Sequence, residues 1–213
     1  MTTGPRPAGL PEIPPGPAML VALSAPSGAG KDAVRERLMA WGIPAHFAVT
    51  ATTRPRRPDE VEGHDYRFLS EEAFQRLLAQ DGFIEHAEVY GRHYGVPRSE
   101  IVEPLAAGQD VIIRVDIQGA ATLRRLIPDA VLIFIAPPTV EEAQRRLEAR
   151  QTDSPEATRL RVATAPSEME AASDFDYVVI NETGKLDETT VRVVEIIAAE
   201  KAQRVAQQRM GSG

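Results

Sequence analysis

One short segment combines the residue types that bind phosphate. It follows a buried apolar run, precedes a helical pattern and reads Ser24-Ala25-Pro26-Ser27-Gly28-Ala29-Gly30-Lys31-Asp32. Gly28 and Gly30 allow successive backbone N–H groups to point at one anion, the start of the next helix adds positive potential, and Lys31 supplies a point charge. This context predicts a nucleotide phosphate-binding loop. An ordinary glycine-rich turn between a strand and a helix is the alternative.

Two positions of this loop depart from the general pattern. Ala25 stands where the first glycine is expected, and Asp32 stands where a Ser or Thr hydroxyl binds Mg²⁺. A carboxylate is also an oxygen ligand for a hard cation, and the first turn of a helix favours a negative charge. Asp32 is therefore our candidate metal residue, acting on Mg²⁺ directly or through water. The alternative is that Asp32 only caps the helix.

A second cluster places three arginines within four residues on a loop that prolines stiffen. Arg54, Arg56 and Arg57 lie in it, and Tyr66 follows with a phenolic donor. In an acidic chain such a cluster indicates a local anion site. A solvated basic loop is the alternative.

Composition limits the partners of the chain. With 24 basic and 31 acidic residues the net charge is −7, which argues against sequence-independent binding to nucleic acid or anionic lipid. The chain has no cysteine, which excludes disulfides, thiolate metal sites and a cysteine nucleophile. No apolar run reaches the about 18–20 residues of a membrane span, and no signal-peptide core is visible. We therefore expect a cytoplasmic protein with no obligate protein partner.

The elements that must position these residues follow from the apolar pattern. Four short, nearly continuous apolar runs at 19–23, 111–115, 131–135 and 177–180 indicate buried parallel strands. Helical patterns at 33–41, 120–126, 139–150 and 186–207 follow them in turn. This alternation predicts a doubly wound α/β sheet. The connection from about 50 to 108 is too long for one crossover and predicts an inserted subdomain, with a helix at 70–80 capped by Ser70.

Several motifs in a fixed order resemble those of guanylate kinases. They are the loop SAPSGAGK, the segment TTR…R..E..G..Y.F, FIEHAEVYGRHYG at 83–95, VDIQG at 115–119 and FIAPP at 134–138. The resemblance runs from about residue 20 to 200. It implies a P-loop NTPase-type fold with an inserted GMP-binding subdomain and a helical lid.

The resemblance also implies a domain organisation. A guanylate kinase-like domain spans 18–205, with its core at 18–49, 105–137 and 170–205, its GMP-binding subdomain at 50–104 and its lid at 138–169. Residues 1–17, which hold six prolines, are expected to be a disordered tail, and so are residues 206–213.

By resemblance, the chain binds ATP and GMP, with dGMP as an open alternative, and transfers a phosphoryl group between them with Mg²⁺. The implied ATP-binding residues are Ala25, Pro26, Ser27, Gly28, Ala29, Gly30, Lys31, Asp32 and Asn181, the last on the adenine side. The implied GMP-binding residues are Thr50, Arg54, Arg57, Tyr66, Glu85, Tyr94 and Asp116. The implied catalytic residues are Lys31 and the lid arginines Arg146, Arg150 and Arg161, which clamp the transferring phosphoryl group.

Further departures from the family pattern stand beside the acceptor base and near the transfer site. Val96 stands where a Ser or Thr is usual, and Arg114 replaces the first Asp of a D-x-D segment. We hypothesise that Arg114 offsets the extra charge of Asp32. Two rival functions remain: a kinase of another phosphorylated acceptor such as ribose 1,5-bisphosphate, and a non-catalytic guanylate-kinase-like binding module.

Overall fold

The apolar runs form the centre of a sheet in the computed structural model, which describes residues 5–89, 91–149 and 155–211. Its strands are β1 (Leu20–Ser24), β2 (His46–Phe47), β3 (Ala51–Thr52), β4 (Arg67–Phe68), β5 (Phe83–Val89), β6 (Arg92–Pro97), β7 (Val111–Arg114), β8 (Val131–Ala136) and β9 (Tyr177–Ile180). Its helices are α1 (Lys31–Ala40), α2 (Glu71–Ala79), α3 (Ser99–Ala106), α4 (Ile117–Leu126), α5 (Val140–Ala149), α6 (Pro155–Glu170) and α7 (Leu186–Gly211).

Five strands form the main sheet in the order β2-β7-β1-β8-β9, and all of its pairs are parallel. Along β1, Val21 and Leu23 join an apolar cluster with side chains of α1 and α7, whereas Ala22 joins a second cluster with Leu123 of α4. Helices therefore cover both faces, which is why the strands read as continuous apolar runs. The prediction of a doubly wound α/β sheet is confirmed.

A second sheet comes from the long connection, with the order β4-β3-β6-β5. β5 and β6 form an antiparallel hairpin, and β3 pairs with both β6 and β4. Helix α2 begins after Ser70, whose hydroxyl accepts from the N–H of Ala73 at 3.2 Å, as predicted. Phe74 of α2 stacks on Phe83 of β5 at 4.4 Å between ring centroids. The connection therefore has a small apolar core of its own.

The two ends of the chain differ from the predicted tails. Residues 5–17 contain no helix or strand, as their prolines predict, but Leu10 is buried and Ile13 packs against the main core. Helix α7 continues to Gly211, so residues 206–211 are helical and the prediction of a disordered tail there is wrong. Gly16 lies so close to α7 that a side-chain carbon on it would be 2.4 Å from Val205. The predicted tail parts at 1–4 and 212–213 lie outside the described residues.

The predicted lid comprises α5 and α6, which contact each other. Ala143 and Leu147 of α5 and Ala165 of α6 are buried, so the segment is packed although it is rich in charge. Arg150 lies outside the described residues. No helix within the described ranges combines the length and apolar character that a membrane span requires.

Candidate active site

The predicted phosphate loop connects the centre of the main sheet to the start of α1. Gly28 and Gly30 have φ angles of +84° and +93°, in the left-handed region that favours glycine. Space is also lacking at both positions. A side-chain carbon at Gly28 would lie 2.6 Å from the Ala143 carbonyl oxygen, and one at Gly30 would lie 2.5 Å from Asn181 Nδ2. Both glycines are therefore required by the backbone conformation and by the neighbours of the loop.

Lys31 is fixed at the end of the neighbouring strand. Its Nζ donates to the carbonyl oxygen of Val115 at 2.6 Å, directly after β7. Burial lowers the pKa of the Lys31 ammonium, while the nearby carboxylates of Asp32 and Asp116 oppose this shift. The cation is thus held between the phosphate loop and the segment that begins α4.

Asn181 supports the loop from the far end of the sheet. Its Nδ2 donates to the Ala29 carbonyl oxygen at 2.7 Å, and its Oδ1 accepts from the Thr189 hydroxyl at 3.1 Å. The side chain is buried, so its amide contacts other protein groups at the base of the loop. Both ends of the buried amide are therefore hydrogen-bonded within the protein. The adenine-side role that the resemblance implies for Asn181 stays a prediction.

Arg146 reaches the same place from α5. Its Nη2 donates to the Asn181 carbonyl oxygen at 2.9 Å and to the Thr183 hydroxyl at 3.0 Å, and its Nε donates to Glu142 at 2.8 Å. Its Nη1 lies 3.4 Å from the Ala29 carbonyl oxygen. The structure thus brings this lid arginine to the back of the phosphate loop, next to Asn181.

Helix α6 contributes a contact that the sequence analysis missed. The backbone N–H of Ser27 donates to Oε2 of Glu168 at 2.9 Å, so a carboxylate of the predicted lid contacts the loop. Its charge also acts on Lys31. Arg161 lies on the same helix and is partly buried. This segment contains many acidic side chains, so no sequence signal singles out Glu168.

The arginine loop carries an internal counter-ion. Arg54 forms a two-point ion pair with Glu60, at 2.6 Å and 3.0 Å, and the backbone N–H of Arg57 donates to the same carboxylate at 2.8 Å. The Arg54 guanidinium lies 5.4 Å from the centroid of the Tyr66 ring. Tyr66 in turn meets Tyr94 edge to face at 6.0 Å. Four of the residues that the resemblance implies for GMP binding, Arg54, Arg57, Tyr66 and Tyr94, therefore lie together, with Glu60 added.

Tyr66 remains a hydrogen-bond donor over the physiological range. Burial raises the pKa of its phenol to about 12, and the nearby negative charge of Asp32 acts in the same direction. The neutral O–H is therefore the form present at neutral pH.

Glu85 and Asp116 face the same small space. Asp116 caps α4 by accepting from the N–H of Gly119 at 2.6 Å. Within the described part of the chain, Oε2 of Glu85 is buried without a hydrogen-bond partner. Burial raises the pKa of the Glu85 carboxyl to about 8, the charge of Asp116 adds to the shift, and Lys31 opposes it. A buried polar atom without a hydrogen-bond partner is uncommon in a folded protein and calls for an explanation.

The departures from the family pattern have different surroundings. Val96 is fully buried in an apolar cluster and belongs to the core. Thr50 is also buried, and its hydroxyl lies 3.4 Å from the Arg114 carbonyl oxygen. Arg114 donates from Nη1 to Oδ1 of Asp32 at 2.8 Å, so the pair that we expected to balance in charge is in direct contact.

Comparisons with known proteins show which family the chain resembles. A family model described as guanylate kinase matches residues 18–200. A "Guanylate kinase 2, chloroplastic/mitochondrial" of Oryza sativa subsp. japonica is 43% identical over 194 residues, which are 91% of this chain and 68% of the relative. A guanylate kinase of Symbiobacterium thermophilum is 42% identical over 187 residues, 88% of each chain.

A solved structure adds an independent comparison. The crystal structure of guanylate kinase from Anaplasma phagocytophilum matches with a TM-score of 0.73 at 33% identity, over 87% of both chains. The family model and these relatives cover nearly all of the two-sheet fold described above. The chain therefore belongs to the guanylate kinase family.

Proposed function

We propose that this chain transfers the terminal phosphoryl group of ATP to GMP, giving ADP and GDP. The observation that carries the proposal is the contact between Lys31 and Val115. It joins the lysine of the phosphate loop to the residue that precedes Asp116. Strands β1 and β7 are neighbours in the sheet, so the phosphate loop after β1 lies beside Asp116 after β7. Glu85 comes from β5 of the second sheet and lies close enough to Asp116 for the two charges to interact.

The ATP phosphates are held by the loop. Its positive-φ glycines set the turn of the backbone into α1, and Lys31 adds a fixed positive charge. Asn181 acts indirectly, since its amide fixes the Ala29 carbonyl. The residues proposed for this site are Ala25, Pro26, Ser27, Gly28, Ala29, Gly30, Lys31, Asp32 and Asn181.

GMP is recognised at both of its ends. Guanine presents N1–H and an exocyclic amino group as donors, which suit the carboxylates of Glu85 and Asp116, whereas adenine has an acceptor at N1. The GMP phosphate takes the place of Glu60 on Arg54 and accepts from the neutral Tyr66 phenol. The residues proposed for this site are Thr50, Arg54, Arg57, Tyr66, Glu85, Tyr94 and Asp116.

Phosphoryl transfer needs charge placed around the moving group rather than covalent help from the protein. Lys31 supplies one positive charge from the loop. Arg161 and Arg150 supply further positive charge from the lid segment, and Arg146 holds α5 against the loop through Asn181. Closure of 50–104 and 138–169 over the two nucleotides would exclude water from the transfer.

A divalent cation, which we propose to be Mg²⁺, suits the donor chemistry beside Lys31. Asp32 offers carboxylate oxygen in the first turn of α1, and both Asp32 and Asp116 act electrostatically on Lys31. Hard cations prefer such oxygen ligands. Asp32 would hold or orient the ion, directly or through water, while Arg114 bonds Oδ1. When bound, the ion would neutralise charge on the ATP phosphates.

The rival functions are less consistent with the site. A ribose 1,5-bisphosphate kinase has no use for the buried acceptor at Glu85, because a sugar phosphate lacks the guanine edge. A binding module without catalysis has no use for Lys31 or for the positive-φ glycines of the loop.

A coupled assay of ADP release with GMP, AMP and ribose 1,5-bisphosphate as acceptors separates these functions. We expect ADP release with GMP, and little with the other two. Lys31→Met is the control for background ATP hydrolysis. ADP release with ribose 1,5-bisphosphate but not with GMP would refute the proposal. A failure to release ADP with any of the three acceptors would refute it as well.

A further inference from the structure

Arg114 contacts two separate segments from the end of a central strand. Only 5% of its side chain is exposed. Its Nη1 donates to Asp32 of α1 at 2.8 Å, its Nη2 donates to the carbonyl oxygen of Asp65, and its guanidinium lies 4.8 Å from the centroid of the Tyr66 ring. One rigid fork thus connects the phosphate-loop helix with the segment that carries a proposed GMP-binding tyrosine.

A second buried arginine anchors the residue just before Asp65. Arg35 of α1 is 1% exposed, and its Nη2 donates to the His64 carbonyl oxygen at 3.1 Å. Two consecutive carbonyls, at 64 and 65, are therefore bonded to arginines of the main domain. Because the backbone before Tyr66 is fixed in this way, the position of Tyr66 depends on β7 and α1.

We propose that Arg114 is a positioning residue that couples the two nucleotide sites, so that binding at one tightens binding at the other. The inference rests on the proposed function. Ligand contact at Tyr66 orders the guanidinium that lies against its ring. The same guanidinium orients Asp32, which adjoins Lys31. By linkage, an effect of GMP on ATP binding equals the effect of ATP on GMP binding.

Charge balance alone does not account for this arrangement. A cation that only neutralised Asp32 would need one ion pair. Arg114 also donates from Nη2 to a neutral backbone carbonyl, and its planar face lies against an aromatic ring. These contacts fix direction and distance, which a point charge does not.

The test measures the Kd of GMP by calorimetry, with and without saturating β,γ-imido-ATP and Mg²⁺, for the full chain. The readout is the ratio of the two Kd values, in which a direct loss of affinity for either nucleotide cancels. We expect a ratio of at least about 5 for the parent chain. Arg114→Met is expected to bring the ratio close to 1, and Arg114→Lys, which keeps charge but not the fork, to give an intermediate ratio.

Arg124→Met is the matched control. Arg124 also joins an aspartate, Asp176 at 2.7 Å, to a backbone carbonyl, that of Ala130 at 3.3 Å. Arg124 is not one of the proposed site residues, so Arg124→Met should keep the ratio of Kd values that the parent chain shows. Asp32→Ala removes the other end of the connection and should also bring the ratio close to 1, which keeps the test usable if Arg114→Met fails to fold.

Each outcome bears on a distinct claim. A parent chain that binds GMP but shows a ratio near 1, or an Arg114→Met variant that keeps the parent ratio, overturns the coupling role and leaves the proposed function intact. A parent chain that does not bind GMP at all overturns both.

Discussion

Gly119 stands directly beside the buried carboxylate of Glu85. A side-chain carbon on Gly119 would lie 2.7 Å from Oε2 of Glu85 and 3.1 Å from Oδ1 of Asp116. Gly119 has no positive φ, so space rather than backbone conformation requires a glycine there. The last residue of the VDIQG segment therefore shapes the pocket between the two acidic side chains.

Gly119→Ala is expected to raise the KM for GMP strongly and to leave the KM for ATP nearly unchanged, because the new methyl group displaces Glu85. Loss of a hydrogen bond to a charged acceptor costs about 1.5–3 kcal/mol, or roughly 10- to 150-fold in KM. Glu85→Ala should show the same pattern. Steady-state kinetics with each substrate varied in turn make the comparison.

The stability of the same variant provides the control. Alanine favours a helix over glycine by about 0.8–1.0 kcal/mol, which offsets part of the cost of displacing Glu85, so Gly119→Ala should unfold at a temperature close to that of the parent. A raised KM for GMP together with a clearly lower Tm would point to general damage instead. An unchanged KM would remove Gly119 and Glu85 from the acceptor site.

The affinity for GMP should rise with pH up to about 8 and level off above it. The pKa of Glu85 is raised to about 8 by burial, so at neutral pH the free carboxyl is mostly protonated. Guanine donors favour the ionised form of Glu85, so GMP binding to the protonated carboxyl releases a proton. The Kd of GMP then falls by at most about tenfold per pH unit. Calorimetry from pH 6.5 to 9 measures this, with Glu85→Gln as the comparison. Equal slopes in the two chains would contradict the assignment.

The same shift has a consequence for stability. The pKa of Glu85 in the folded chain, about 8, lies above its ordinary value of 4.5, so the folded state binds more protons between these values. The contribution of Glu85 to the free energy of unfolding is therefore fully present below about pH 4.5. It falls as pH rises toward 8, by at most about 1.4 kcal/mol per pH unit. Urea unfolding of Glu85→Gln should lack this decline relative to the parent.

Asp32→Ala should need more free Mg²⁺ for half-maximal kcat, by roughly 10- to 100-fold if the carboxylate orients the ion. Asp32→Ser restores an oxygen ligand and should recover most of the parent behaviour. Binding of β,γ-imido-ATP at increasing Mg²⁺ gives a readout independent of turnover. If Asp32→Ala keeps the parent dependence on Mg²⁺, Asp32 serves only as a helix residue and as the partner of Arg114.

Arg146→Ala should raise the KM for ATP by about 10-fold, because its charged hydrogen bonds hold α5 against the base of the phosphate loop. The neighbouring Arg145 is the matched control. It pairs with the same Glu142 but is 68% exposed, so Arg145→Ala should leave both KM values unchanged. A fall in kcat at constant KM for ATP would assign Arg146 to the transferring phosphoryl group instead.

The strands of the main sheet were predictable because burial on both faces leaves a continuous apolar run. The capped helix after Ser70 was predictable because its signal is local. The two-residue strands β2, β3 and β4 have no pattern long enough to detect. The helical end of α7 was missed because polar residues of a long exposed helix look like a tail.

The candidate site was predictable where chemistry and spacing are close in sequence, as in the loop from 24 to 32. Contacts between distant residues were not. Glu168 on Ser27 and Arg114 on Asp65 depend on tertiary structure, since the partners are 141 and 49 residues apart in the chain. The sequence suggested that Asp32 and Arg114 compensate in charge, yet not that they touch.

The bond between Asn181 and the Ala29 carbonyl spans 152 residues of chain. On the ribosome, the phosphate loop is therefore made long before the residue that braces it. Strand β1 must also wait for β7 and β8, its only strand partners in the described sheet. A nascent chain that ends before residue 181 carries the complete loop sequence without its support, so nucleotide can assist folding only late in synthesis.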